Sequence, residues 1–311
     1  MTSDEAPRNG SEGRGVLLMT YGSPDSLERA DVRAYLARVR NGREPDPELT
    51  DEFTRRYRVI GGSPLIAITR AQATALEAVL GWPVVVGMRF SEPSIVAGLT
   101  ALTDRGVASV VGIILSPQYS PLLMGGYARA LAAAAGELGD AAPHVRVAGA
   151  WHLEPAFTGS LGTRVRAALD RLPPDERNAP VLMTAHSLPK RVAEQEPEYL
   201  DQLRDTAVEV AARAGITPEQ WQFCWQSAGH EPGEWMKPDF ADLMPGIASS
   251  GARSVVVAPV QFLADHLEIL YDVEVGAREQ AERWGLAFHR IESLNVDAGL
   301  VEALAAVAQR T

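Results

Sequence analysis

Cysteine is almost absent from this chain. A single thiol, Cys224, among 311 residues excludes an intramolecular disulfide, a zinc site of several thiolates and a four-cysteine iron–sulfur cluster. That pattern fits a reducing cytoplasm. Basic charge is also in short supply: 29 Lys and Arg against 40 Asp and Glu leave a net charge of −11. Nucleic acid or anionic lipid as the main partner is therefore disfavoured, because both require a basic face. No apolar run approaches the roughly 18 residues of a spanning helix, and the N-terminus has neither the basic nor the apolar region of a signal peptide. No transmembrane anchor is expected. The familiar glycine signatures are missing as well: no GxGxxG after the first strand, no GxxxxGK[ST], no GxSxG elbow. His230-Glu231 lacks the second histidine of a zincin, and Ser187 lacks an evident triad order.

What is present is a large apolar content, 46% of the chain, enough for a substantial core and for two domains or one large α/β unit. Short runs rich in Val and Ile recur around residues 18, 86, 112 and 147, and again around 183, 224, 257 and 289. Such runs, separated by helix-length segments, mark parallel sheets covered on both faces. Helices are expected over 71–80, 121–138, 157–172, 199–214 and 301–309, all rich in good helix formers. The fold class read from this rhythm is α/β, with two Rossmann-like domains, each a parallel four-stranded sheet flanked by helices. Their expected limits are 15–152 and 153–311, after a polar, glycine-rich disordered tail over 1–14. In such folds ligands bind outside the carboxyl ends of the strands. Tyr21, Arg89, residues 116–119, His186, Gln226 and the segment after Pro259 all fall near such ends and could border one cleft.

Two stretches concentrate chemistry there. The segment 259–272 places Asp265, His266, Glu268 and Asp272 where a strand hands over to a helix, with Glu268 and Asp272 at i,i+4 on one face. Acids at a helix start are favoured by its dipole, which accounts for Asp265 better than for Asp272. A row of carboxylates, with Glu279 extending it beyond Gly276, would also hold a divalent cation transiently. The second stretch, MTAHSLP, delivers His186 at a strand's end. A histidine there can be a hydrogen-bonded core residue, a metal ligand or a base near neutral pH.

The motifs MTYGSP, YRVIGGSPL, MTAHSLP, CWQSAGHEPGEWMKPD and FLADHLEILYD, in that order, resemble the ferrochelatase family from about Gly15 to the C-terminus. The resemblance implies a lyase of haem biosynthesis that inserts ferrous iron into a porphyrin. It implies His186 and Glu268 as the paired catalytic and metal-handling residues, with Asp272 as the next acid of a cation path that Gly276 interrupts. Tyr21 matches a tyrosine facing the metal in coproporphyrin-type members, while Arg40, Arg56, Ser63 and Tyr127 match holders of substrate propionates, a task suited to arginine forks. Phe90 stands where related members can carry a histidine.

The expected partners are thus coproporphyrin III and Fe²⁺, both as substrates. No permanently bound cofactor and no iron–sulfur cluster are expected, and the chain is expected to be monomeric. Coproporphyrin III is preferred over protoporphyrin IX because of Tyr21, and because an apolar, membrane-delivered porphyrin would suit an anchored enzyme. The competing readings are a protoporphyrin ferrochelatase, a cobalt or sirohydrochlorin chelatase, which would use paired histidines, and a non-catalytic haem or porphyrin carrier.

Overall fold

The structure is a computed structural model describing residues 13–229 and 233–311. His230, Glu231 and Pro232 lie outside the described residues, as does the expected tail up to residue 12. The first strand, β1 (Arg14–Thr20), begins at Arg14. That residue pairs with Ser109 and stacks its guanidinium 4.3 Å from the Trp82 ring.

The chain continues through α1 (Arg29–Val39), α2 (Pro47–Val59), α3 (Leu65–Leu80), β2 (Val84–Met88), α4 (Ile95–Asp104), β3 (Ser109–Ile114), α5 (Pro121–Leu138) and β4 (His144–Val147). Then α6 (Pro155–Asp170) leads to β5 (Val181–His186), α7 (Lys190–Ala193), α8 (Pro197–Ala214), β6 (Trp221–Gln226), α9 (Phe240–Ser249) and β7 (Ser254–Pro259). A π-helix (Glu268–Ala277), α10 (Arg278–Arg283), β8 (Ala287–Arg290) and α11 (Ala298–Arg310) complete it. The strands form two four-stranded sheets, β2-β1-β3-β4 and β6-β5-β7-β8, with every pairing parallel. The central strands β1, β3, β5 and β7 come from apolar runs whose side chains are buried on both faces of a covered sheet, whereas β4 and β8 at the sheet edges are mostly half-buried or exposed. In β1, for example, Val16 and Leu18 face one core cluster while Leu17 and Met19 face another.

The helices α1, α2, α4 and α9 were not foreseen. The α2 segment is dominated by charged residues, and its buried face is carried by Thr50, Thr54 and Tyr57, so it lacks the apolar stripe that announces a helix.

One hydrophobic cluster spans both sheets, joining Val16, Leu18 and Val86 of the first to Val181, Met183 and Val256 of the second through α3, α6 and α11. This shared core holds the carboxyl ends of the two sheets in a fixed relation. The last helix is fastened by Asp297, which caps α11 by accepting from the Gly299 and Leu300 amides and also binds Ser160 and Arg164.

Burial alone would raise the Asp297 carboxyl, yet Ser160 and Arg164 hold it below its ordinary value. Its contribution is therefore present above the usual aspartate range and is lost as pH falls through the folded value. Asp297→Ala should lower stability by about 1–3 kcal/mol at neutral pH, with a smaller deficit in acid. Urea unfolding at both pH values checks this; an unchanged midpoint would show that α11 is not held by this cap.

Candidate active site

His186 is the last residue of β5, and its surroundings fix it in three ways. Its backbone amide donates to Gln261 Oε1 at 2.7 Å, and Gln261 in turn donates to the Tyr199 hydroxyl at 2.6 Å. Its ring Nδ1 lies 2.5 Å from the Ser187 carbonyl. A carbonyl only accepts, so Nδ1 carries the proton and Nε2 presents a lone pair. That Nε2 stands 3.7 Å from Glu268 Oε2.

Glu268 opens the π-helix, where i→i+5 bonding widens the turn. The buried positions Ile269, Val273 and Ala277 follow one another at a strict spacing of four. An ordinary α-helix would also keep these positions on one apolar stripe, so their spacing does not distinguish the two helix types. Glu268 Oε2 is buried and has no hydrogen-bond partner among the described residues. Unsatisfied buried carboxylate oxygens are costly. This one is aimed at an imidazole lone pair too far away to be a good hydrogen bond, an arrangement that suits a cation or an N–H donor shared between them.

Asp272, on the same side of the helix, is bound by Arg56 Nη1 at 3.3 Å. Arg56 also donates to Glu52 at 2.7 Å and lies over the Phe53 and Tyr271 rings. The structure thus joins a residue expected to hold propionate to one expected to pass metal. The expected continuation at Glu279 does not hold: that residue is exposed and faces Arg283 at 3.9 Å, because the widened turn rotates it out of the row. Asp265 is structural, gripped by Ser293, Asn295 and Arg290. His266 packs on Phe262 and donates from Nδ1 to the Ala264 carbonyl.

Across the cleft, Tyr21 follows β1 and remains 43% exposed. Gly22 behind it has φ +100°, and a Cβ there would strike Ser91 Oγ at 2.2 Å, so only glycine permits this turn. Although part of its surface stays exposed, the protein crowded around the residue costs the phenolate hydration and pushes the Tyr21 phenol up to about 12, with the Glu268 charge adding to the rise and Arg89 opposing it. It is a neutral hydroxyl at neutral pH. Phe90 meets the Tyr21 ring edge-on at 4.6 Å.

Tyr21 also lines a cavity of about 1120 Å³ together with Arg40, Arg43, Glu52 and Arg191. His186 and Glu268 stand outside that lining; Tyr21 is the link, since its phenol feels the Glu268 charge. Arg40 has a buried Nε without a partner among the described residues. Tyr127 is 5% exposed and supports Arg89 from below. Ser63 is half-buried at the start of α3, where its hydroxyl accepts from the Leu65 amide at 3.4 Å; none of its hydrogen bonds reaches this group. The sequence reading assigned no role to Gln261, Tyr271 or Arg89. Arg89 and Gln261 did carry a signal, their places just past a strand's carboxyl end.

The doubled four-stranded parallel fold is that of the chelatases. The sirohydrochlorin chelatase SirB from Bacillus subtilis subspecies spizizenii, in complex with cobalt, superposes with a TM-score of 0.55 at 10% identity, over 96% of this chain and 94% of that one. At that identity the likeness is one of fold. The sequence is more specific: this chain belongs to the ferrochelatase family, whose profile matches residues 13–311. A ferrochelatase of Deinococcus radiodurans is 37% identical over 303 residues, 95% of each chain. The coproporphyrin III ferrochelatase of Geobacillus thermodenitrificans is also 37% identical, over 94% of each.

Burial raises the Asp272 carboxyl above its ordinary value, and the Glu268 charge adds to the rise while Arg56 and His186 oppose it. A carboxyl raised in the fold binds its proton more tightly there than in the unfolded chain. Stability therefore declines as pH climbs from the usual aspartate range through the folded value. Asp272→Asn should remove that decline, so melting temperatures followed from about pH 4 to about pH 7 should fall less steeply in the variant. Identical slopes would contradict the assignment.

Proposed function

We propose that this chain inserts Fe²⁺ into coproporphyrin III, releasing both inner pyrrole protons. The carrying observation is Glu268 Oε2, buried and without a hydrogen-bond partner among the described residues, facing the His186 Nε2 lone pair at 3.7 Å. A pyrrole N–H bond breaks as Nε2 or Oε2 takes the proton, and the nitrogen electron pair then forms a bond to iron. The same two atoms are ligand types that a borderline divalent ion accepts. Iron enters and leaves as substrate and product. Tyr21, a neutral phenol, faces the ring from the other side without adding charge. Arg40 and Arg56 take propionates through charge-assisted hydrogen bonds, with Ser63 and Tyr127 completing that wall, and Asp272 receives the metal before Glu268.

We take the domains as 15–152 and 153–311, the enzyme as a cytoplasmic monomer, and its only ligands as its substrates. With one cysteine, Cys224, buried in the core, no resident iron–sulfur cluster is assigned. No helix among the described residues is long and apolar enough to cross a membrane, which agrees with a polar, many-carboxylate porphyrin as substrate in preference to protoporphyrin IX.

A carrier using the same cleft would bind porphyrin and leave it unmetallated. His186→Ala and Glu268→Gln should each lower the metallation rate by roughly 10²–10⁴-fold while porphyrin binding, followed by fluorescence quenching, persists. Normal rates in either variant would overturn the mechanism. Steady-state Fe²⁺ insertion into coproporphyrin III and protoporphyrin IX decides the substrate, and a preference for the latter would overturn that assignment.

A further inference from the structure

Arg89 follows directly on β2, on the Tyr21 side of the cleft, and its setting is unusual for a surface arginine. It is half-buried, and no carboxylate of the described residues forms an ion pair with it, in a chain carrying a net charge of −11. Its guanidinium carbon lies 4.8 Å from the Phe90 ring centroid and 5.2 Å from that of Tyr127. Arginine planes favour aromatic faces, which hold the cation without neutralising it. Helix α5 is shaped to admit it: a Cβ at Gly126 would come within 1.9 Å of Arg89 Nη2. Two rings and one missing side chain therefore hold a cation in place. That cation already acts on Tyr21, drawing the phenol down against the larger effect of burial.

The residue is built like an anion site. Its planar fork is pre-oriented by the rings, so little side-chain freedom remains to be lost on binding. The acids nearest the cleft are engaged elsewhere: Glu52 and Asp272 with Arg56, and Glu268 toward His186. Arg40 caps the end of α1 and Arg56 lies in α2, whereas Arg89 follows β2 and lies against Gly126 of α5.

We propose that Arg89 binds a further substrate carboxylate and so selects porphyrins bearing propionates on every pyrrole ring over those with fewer. This rests on the porphyrin reading above and names the residue that gives it specificity. Phe90 and Tyr127 are its positioning residues, and Gly126 is the gap that lets it lie flat.

The test is kinetic and binding analysis of Arg89→Ala, Arg89→Lys and Gly126→Ala with coproporphyrin III and protoporphyrin IX. Arg89→Ala should raise KM for coproporphyrin III by roughly tenfold to a hundredfold with a much smaller change in kcat, and should lower the coproporphyrin-to-protoporphyrin ratio of kcat/KM by a similar factor. Arg89→Lys, which keeps charge but not the stacked fork, should recover part of the loss. Gly126→Ala should reproduce the KM defect with the charge retained. Equal losses on both porphyrins, a loss confined to kcat, or no change in the ratio would each overturn the proposal. Metal-free porphyrin titration reads the same carboxylate contact even in a protein that metallates neither substrate, so failure of the ferrochelatase reading would remain distinguishable from failure of this one.

Discussion

The register of β5 against β7, with Thr184 opposite Pro259, is the constraint on which the site depends. Side chains alternate across a strand, so a slip of one residue would turn His186 to the other face of the sheet. Instead the pairing sets the end of β5 beside the turn that leaves β7. Gln261 in that turn then clamps the His186 amide. The π-helix begins a few residues later and carries Glu268 to the imidazole. The apolar register is thus what brings an imidazole and a carboxylate together; the polar residues fix orientation once the strands have fixed position.

The shared core extends this constraint to the whole molecule. Because one cluster runs from Val16 and Leu18 to Val181 and Val256, the ends of β1 and β5 do not drift independently, and Tyr21 is held near enough to Glu268 for its phenol to feel that charge. Pre-organisation of this kind leaves costs unrelieved within the fold. Among the described residues, Glu268 Oε2 is buried without a hydrogen-bond partner, Asp272 is held above its ordinary range, and Arg89 carries charge beside two aromatic rings without a carboxylate ion pair. Each of these groups would be eased by a cation or an anion arriving from the substrates, as expected where function is retained at some expense of stability.

Much of this was legible in the sequence, for identifiable reasons. The central strands stood out because two-sided burial forces continuous apolar runs, and His186 stood out as an imidazole closing one of them. Glu268 and Asp272 were visible as acids on one face. The helical type was not: the spacing of Ile269, Val273 and Ala277 fits an ordinary helix as well as the π-helix observed, and reading it as an ordinary helix misplaced Glu279. The first two helices stayed hidden because α2 packs through threonine hydroxyls and a tyrosine. The Arg56–Asp272 pair joins residues 216 apart in the chain, so only the fold could reveal it. Ser63 and Tyr127 owe their assignment to the family resemblance, since neither presents an evident pattern of its own.

The central claim is that His186 and Glu268 receive the metal between them. The most direct measurement is anomalous diffraction from crystals soaked with a divalent ion such as Zn²⁺ or Co²⁺. The account predicts a peak bridging His186 Nε2 and Glu268 Oε2, at about 2.0–2.2 Å from each. A peak held only by Asp272 and its neighbours, or on the Tyr21 side with the His186–Glu268 gap left empty, would contradict it.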